Sequence, residues 1–175
     1  NQLLGSSSTN LRTAYFERVY AKTGSLFELA ALAPAILAGT SIVTQDRLRE
    51  FGRSLGIAFQ IVDDVLDFTG QADEVGKPVA SDLRNGLVTL PTLCHLEENP
   101  ADAEAVGLLV RGELSDQAQD RLVASIRSSG AVAAARAEAE GYIDACLALL
   151  GELPSDRPEH QALGDLANYV LERTL

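Results

Sequence analysis

The chain has 175 residues and carries 25 acidic and 14 basic side chains, a net charge of −11 at neutral pH. This length suffices for one compact domain, and 27 leucines and 25 alanines against 18 valines plus isoleucines favour helices over sheets. The acidic balance excludes a nucleic-acid backbone as a natural partner. An anionic ligand would need local cations or a bound metal to offset this field.

The first predicted helical stretch runs from Leu11 to Leu32, where apolar residues recur at helical intervals. Lys22-Thr23-Gly24-Ser25 interrupts this pattern and predicts a point where backbone groups leave the regular helical hydrogen bonding. The uncharged run Leu29–Gln45 has 17 residues and contains Pro34 and Gly39, whereas a membrane span needs about 20 apolar residues. The run therefore predicts a buried helix and its exit.

The strongest helical periodicity predicts a helix from Thr44 to Phe68, in which apolar positions step by three or four residues. The segment Gly70–Gly86 contains three glycines and a proline without a sustained period, and so predicts a loop. Further helices are predicted over residues 89–98, 101–111, 115–128, 131–150 and 160–173. The sequence thus predicts an all-α fold and a single helical domain over residues 1–175.

Three carboxylates, Asp63, Asp64 and Asp67, fall within five residues of the predicted helix Thr44–Phe68. Asp63 and Asp67 share one face of this helix, because residues four apart stack one turn above another. Each pair repels by about 1 kcal/mol in water at 4 Å and by about 4 kcal/mol at an effective dielectric near 20. A divalent cation offsets this repulsion, and oxygen ligands without histidine or cysteine suit Mg²⁺.

A solvated acidic face is the alternative interpretation of the three carboxylates. The surrounding apolar residues favour a metal site, since a merely solvated face would be less crowded by them. Gly56 and Gln60 continue the edge that carries Asp63 and Asp67.

Two lysines occur in unusual backbone contexts. Lys77 lies in Gly76-Lys77-Pro78 within the predicted loop, and Lys22 precedes Thr23 at the predicted helix interruption. For Lys77 alone a surface position is the default interpretation, and Lys22 with Thr23 is similarly ambiguous, since these side chains could bind an oxyanion or simply face solvent. Together with the acidic cluster they favour a site that holds a diphosphate.

These residues, in this order, resemble the trans-type polyprenyl diphosphate synthases. The resemblance covers nearly the whole chain, and its most specific block is Phe-Gln-x-x-Asp-Asp-x-x-Asp over residues 59–67. It is carried by Lys22-Thr23, Gly56–Asp67, Gly76-Lys77-Pro78, Asp82–Pro91 and Tyr169–Arg173.

The resemblance implies an orthogonal helical bundle of the isoprenoid-synthase type and a Mg²⁺-dependent condensation of isopentenyl diphosphate with an allylic diphosphate. In that reaction the allylic diphosphate ionises, and isopentenyl diphosphate attacks the carbocation. The resemblance places Asp63, Asp64 and Asp67 as metal ligands and Lys22, Thr23, Gln60 and Lys77 as catalytic, substrate-contacting residues. Phe59 is placed at the substrate site, and Phe59 and Phe68 could line a prenyl tunnel, although core packing is the safer interpretation for each. A cytoplasmic homodimer is expected.

Two departures from the family pattern stand out. Asp63-Asp64 is the only Asp-Asp pair, whereas the family carries a first aspartate-rich motif with an arginine pair upstream, so we expect this chain to be the C-terminal half of a longer synthase. Leu87 stands where many members have lysine.

Three alternatives remain open at this stage: a non-catalytic partner subunit, an inactive remnant of the same fold, and a class I terpene cyclase. The second metal motif of such cyclases is not found in the sequence. Cys94 and Cys146, without CxxC spacing, indicate neither a zinc site nor a disulfide and fit a reducing cytoplasm. His95 is expected on a helix face rather than as a ligand, and Arg84 either positions the loop or is exposed.

Overall fold

The computed structural model describes residues 8–70, 79–153 and 157–173. All regular elements in these residues are helical, and no strand occurs among them, so the predicted all-α class is confirmed. The α-helices are α1 (Ser8–Val19), α2 (Ser25–Leu37), α3 (Ile42–Thr69), α4 (Ser81–Arg84), α5 (Leu90–Glu98), α6 (Ala103–Val110), α7 (Asp116–Ser128), α8 (Ala131–Gly151) and α9 (Pro158–Glu172). A π-helical turn, Tyr20–Gly24, joins α1 to α2, and a 3₁₀ turn, Pro100–Asp102, precedes α6.

The helix predicted over Thr44–Phe68 is α3, which extends two residues further at its start and one further at its end. The predicted interruption at Lys22–Ser25 is the π-helical turn. Within it the amide of Ser25 donates to the carbonyl of Tyr20, five residues back, which is the π-type spacing. The sequence therefore located the irregularity correctly without specifying its type.

The predicted loop Gly70–Gly86 is wrong in one part, because Ser81–Arg84 forms the short helix α4. This helix follows Ala80, which has a left-handed φ of 56° and is buried. Arg84 positions this segment: its Nε donates to the carbonyl of Val79 at 3.0 Å.

The residues group into two compact units, each with its own internal contacts. Unit 1 comprises Asn1–Tyr15 and Asp63–Arg136, and unit 2 comprises Phe16–Val62 and Ala137–Leu175. The single domain predicted for residues 1–175 stays a prediction.

Polar contacts link several helices of unit 1 around its buried apolar side chains, which include Phe68, Leu90 and Ile126. Arg84 on α4 pairs with Asp120 on α7 at 2.7 Å, and Arg12 on α1 pairs with Glu97 on α5 at 3.0 Å. His95 is on the buried face of α5, only 1% exposed, with Nε2 2.8 Å from Asp102 Oδ2 and Nδ1 2.9 Å from Ser129 Oγ. Both ring nitrogens of His95 therefore have hydrogen-bond partners within unit 1.

Unit 2 is held together by close packing of α2 on α3. The core side of α3 includes Phe51, Leu55 and Ile61, all buried. Cys146 on α8 donates from Sγ to the carbonyl of Phe51 at 3.4 Å, and burial raises the pKa of this thiol to about 12. Cys94 and Cys146 are both buried, and they do not form a disulfide with each other.

Several large apolar side chains of unit 2 are exposed, contrary to the expectation that Leu29–Gln45 forms a buried helix. Leu37 is 88% exposed and Ile42 is 70% exposed, and Leu26, Leu29, Ile36 and Val43 are also exposed. None of the described helices is both long and apolar enough to cross a membrane.

Candidate functional site

Asp64 is a buried carboxylate whose orientation is fixed by a residue far away in sequence. It is 4% exposed, and the hydroxyl of Tyr15 on α1, itself 1% exposed, donates to its Oδ2 at 2.7 Å. Burying a carboxylate costs free energy unless it is hydrogen-bonded, so the bond from Tyr15 stabilises the buried side chain of Asp64. Asp63, one position earlier, is half-buried.

Asp67, the third predicted metal ligand, accepts hydrogen bonds through both carboxylate oxygens. Oδ1 accepts from the amide and the hydroxyl of Ser81, at 3.0 and 2.7 Å, and Oδ2 accepts from the amide of Asp82 at 3.1 Å. All three predicted carboxylates lie on the last two turns of α3. The side chain of Asp67 is directed to the start of α4.

The three aspartates at the end of α3 offer carboxylate oxygens, which are ligands that Mg²⁺ prefers. In the described residues no group of three histidine, cysteine or acidic side chains is arranged to hold a metal ion. Mg²⁺ is commonly bound by one or two carboxylates, with waters and substrate phosphate oxygens completing its shell. Asp63 and Asp64 supply oxygen ligands of the type that Mg²⁺ prefers, and α3 contains no histidine or cysteine that would favour another metal.

Thr23 and Gln60, predicted from motifs 37 residues apart, meet in unit 2. Thr23 Oγ1 donates to Gln60 Oε1 at 2.9 Å, and the Gln60 side chain is buried. This bond fixes the orientation of the amide of Gln60, because its oxygen is committed to Thr23.

Two glycines explain how the π-helical turn comes this close to α3. A Cβ at Gly56 would lie 2.8 Å from Cα of Gly24 and 2.9 Å from Cβ of Phe27. Only glycine permits such an approach, so Gly24 and Gly56 set the separation at which Thr23 reaches Gln60. At Gly52, one turn earlier on α3, a Cβ would lie 2.4 Å from the carbonyl oxygen of Phe27.

Of the two lysines predicted to contact the diphosphate, the structure describes only Lys22. The side chain of Lys22 is exposed on the π-helical turn, next to Thr23. Lys77 lies outside the described residues. Leu87 is half-buried.

The same π-helical turn is tied to α2 by a polar contact. Tyr20 donates from its hydroxyl to Oε2 of Glu28 at 2.8 Å, and this hydrogen bond to a carboxylate is the main cause that raises the pKa of the Tyr20 phenol. The guanidinium of Arg53 lies 5.0 Å from the centre of the Tyr20 ring. Through Tyr20, these contacts attach the turn that carries Lys22 and Thr23 to α2 and α3.

Phe59, which the sequence placed at the substrate site, is half-buried beside two partners. Its ring centre is 5.5 Å from that of Phe27, and the guanidinium carbon of Arg173 lies 4.4 Å from it. Phe68 is fully buried, and core packing is its role in this structure. An open groove of about 870 Å³ follows α9 past Leu166 and Tyr169, and no predicted site residue lines it.

Sequence reasoning missed the partners of these residues. Tyr15 lies in the predicted helical stretch from Leu11 to Leu32, and nothing local in sequence links it to Asp64, 49 positions away. Ser81 is preceded by no recognised cap signal, because its capping carboxylate comes from Asp67 on α3. Arg173 carried a signal only through the motif Tyr169–Arg173.

Comparisons with known proteins identify the family of this chain. The family model for polyprenyl synthetases matches residues 2–126. Component 2 of the heptaprenyl diphosphate synthase of Bacillus subtilis is 35% identical over 164 residues, 94% of this chain and 46% of that protein.

Solved structures show the same fold. The heptaprenyl diphosphate synthase of Staphylococcus aureus superposes with a TM-score of 0.86 at 32% identity, over 93% of this chain and 51% of that one. The polyprenyl synthase of Caulobacter crescentus, solved with calcium and isoprenyl diphosphate, gives a TM-score of 0.79 at 33% identity, over 93% and 50%.

The chain therefore belongs to the polyprenyl synthetase family, and its fold is that of the helical isoprenyl diphosphate synthases. It spans about half the length of the relatives it matches here.

Proposed function

We propose that this chain forms part of a trans-prenyltransferase that lengthens an allylic diphosphate by condensing it with isopentenyl diphosphate, in a Mg²⁺-dependent reaction. Membership of the polyprenyl synthetase family supports prenyl chain elongation. The observation that carries the proposal is the 2.9 Å hydrogen bond between Thr23 and Gln60, because two side chains predicted from separate motifs are brought together.

The chemical demand of this reaction is stabilisation of charge on the departing diphosphate oxygens. Mg²⁺, when bound, supplies positive charge to those oxygens, and a divalent cation accompanies isoprenyl diphosphate in the Caulobacter crescentus polyprenyl synthase. We assign its protein ligands to Asp63 and Asp64. The hydroxyl of Tyr15 donates a hydrogen bond to Oδ2 of Asp64 and thereby orients this carboxylate.

Thr23 and Gln60 are assigned to the wall of the allylic site. Thr23 commits the oxygen of the Gln60 amide, so that the two side chains hold one orientation. The exposed ammonium of Lys22 is assigned to the diphosphate, because an acidic chain needs cations placed near a bound anion. Lys77, in the sequence Gly76-Lys77-Pro78, is assigned the same role on its family motif alone.

The remaining assignments extend the proposal to the whole enzyme. We expect a homodimer in the cytoplasm, consistent with two unbridged cysteines. The exposed apolar side chains of α2 and the start of α3 are available for burial by further protein.

A second candidate function is that of a partner subunit without catalysis of its own. The name of the Bacillus subtilis relative, component 2 of a heptaprenyl diphosphate synthase, supports an enzyme made from more than one chain.

The test is product formation by two preparations. The enzyme isolated from its native cells, with any chains that copurify, is incubated with radiolabelled isopentenyl diphosphate, Mg²⁺ and geranyl or farnesyl diphosphate, with EDTA as the control. We expect longer polyprenyl diphosphates that disappear with EDTA. The recombinant 175-residue chain alone is expected to form none.

Each other result has a defined meaning. Absence of elongation with every primer contradicts the proposed function. A cyclised hydrocarbon supports the terpene cyclase alternative, and efficient elongation by the recombinant chain alone contradicts its expected dependence on further protein.

A further inference from the structure

Asp67 differs from the two carboxylates that precede it, because it joins two elements of unit 1. Its side chain accepts three hydrogen bonds, two from Ser81 and one from the amide of Asp82. Its backbone carbonyl accepts a fourth, from the amide of Ala80 at 2.7 Å. One residue of α3 therefore anchors the three consecutive residues at the start of α4.

These contacts satisfy donors that α4 cannot satisfy by itself. The first amides of any helix lack partners within the helix, and a capping side chain usually accepts from them. The residue before α4 is Ala80, which has no polar side chain. Ala80 also has a φ of 56°, a conformation that alanine adopts only when surrounding contacts enforce it. Asp67 supplies the missing acceptor from another helix.

The same contacts argue against a direct metal role. Turning the Asp67 carboxylate towards a shared cation would remove the acceptor from two amides and one hydroxyl. In the described residues Asp67 also forms no three-membered group of metal-ligating side chains with Asp63 and Asp64. Both carboxylate oxygens of Asp67 are committed to residues of α4.

We infer that Asp67 is a positioning residue, which holds α4 against the end of α3, rather than a ligand of the metal. The inference that this matters for catalysis rests on the proposed function. The contact itself does not depend on that function. Loss of the Asp67 carboxylate should displace α4 from the turn of α3 that follows Asp63 and Asp64, and lower turnover without changing the need for Mg²⁺.

The first experiment compares Asp67→Asn with Asp63→Asn in the native enzyme. Asparagine keeps the shape of Asp67 but replaces one acceptor oxygen by a donor, which opposes the amide of Asp82. Hydrogen exchange of the peptide covering residues 79–84 is followed by mass spectrometry in EDTA. We expect about tenfold faster exchange at Ser81 and Asp82 in Asp67→Asn, and wild-type exchange in Asp63→Asn.

The second readout is the Mg²⁺ concentration that gives half-maximal activity. We expect it to stay within twofold of wild type in Asp67→Asn, with a lower kcat, and to rise at least tenfold in Asp63→Asn. A Mg²⁺ requirement raised as much in Asp67→Asn as in Asp63→Asn overturns the inference, and so does unchanged exchange in EDTA. Because the exchange measurement needs no substrate, an enzyme that elongates nothing would refute the proposed function and still leave the exchange result decisive.

Ser81→Ala provides a matched variant, since Ser81 is not a candidate metal ligand. It removes the 2.7 Å bond to Asp67 and should speed exchange at the same amides by a smaller factor. If Asp67 acts through Ser81, the double variant Asp67→Asn/Ser81→Ala should exchange no faster than Asp67→Asn alone. Additive effects of the two substitutions would contradict this role.

Discussion

The hydroxyl of Tyr15 donates a 2.7 Å hydrogen bond to Oδ2 of Asp64, joining the first described helix to the acidic end of α3. Both side chains are buried, so the contact is shielded from competing water. In the proposed enzyme it orients a metal ligand, and this makes Tyr15 a measurable part of the metal site.

Tyr15→Phe removes this donor while leaving the ring in place. We expect the Mg²⁺ concentration for half-maximal activity to rise by about tenfold, because residues that orient a ligand contribute about 10- to 100-fold to metal affinity or activity. The free energy of unfolding should fall by about 1–3 kcal/mol. Tyr169→Phe is the control, since Tyr169 is exposed on α9. If both substitutions changed the Mg²⁺ requirement equally, the proposed role of Tyr15 in orienting a metal ligand would be contradicted.

Asp63→Asn removes one carboxylate from the proposed Mg²⁺ site without changing its size. We expect kcat/KM to fall by at least about 100-fold, because stabilisation of the leaving diphosphate depends on the bound cation. Steady-state assays over a range of Mg²⁺ concentrations measure this loss. Asp144→Asn, at an exposed position of α8, changes the net charge equally and should leave activity unchanged. Full turnover in Asp63→Asn would remove the metal assignment.

Thr23→Val tests the contact with Gln60. Valine keeps the shape of threonine but cannot donate to Gln60 Oε1, so we expect kcat/KM for the allylic diphosphate to fall by about tenfold. Thr23→Ser keeps the hydroxyl and should retain most of the activity. If Ser and Val variants behave alike, the hydrogen bond has no catalytic part.

Gly56→Ala tests the close approach of the π-helical turn to α3. A methyl group there would lie 2.8 Å from Cα of Gly24, so we expect a loss of about 1–3 kcal/mol in the free energy of unfolding, measured by urea denaturation. Gly141→Ala is the matched control on α8. Nothing lies within 4 Å of its added methyl, and a gain of about 0.5–1 kcal/mol is expected. Equal stability changes in the two variants would contradict the packing argument.

The long-range periodicity of the sequence was sufficient to predict most helices. Helix α3 was predicted over Thr44–Phe68 and observed over Ile42–Thr69, because its apolar residues repeat at helical spacing over many turns. Helix α4 was missed. It has four residues, too few to show a period, and its amides are satisfied by Asp67 from another helix.

The assignment of the site residues stays a prediction, and the sequence did not indicate which side chains contact them. The motifs singled out Thr23, Gln60 and the three aspartates, since their residue types match diphosphate and metal chemistry. Tyr15 and Ser81 became visible only in three dimensions, because the contacts that give them a role join residues 49 and 14 positions apart. The burial predicted for Leu29–Gln45 failed for a related reason. Hydropathy indicates that a side chain avoids water but not which atoms cover it.

The π-helical turn Tyr20–Gly24 constrains the number of residues between α1 and α2 as well as their identity. Such a turn holds one residue more than an α-helical turn, and respacing it would rotate one side of the helix relative to the other by about 100°. Phe16, whose ring centre is 6.1 Å from that of Tyr142, and the buried Val19 would both leave their packing positions. A single-residue deletion or insertion here would therefore be far more damaging than most substitutions, although the stretch carries an exposed lysine and lies partly at the surface.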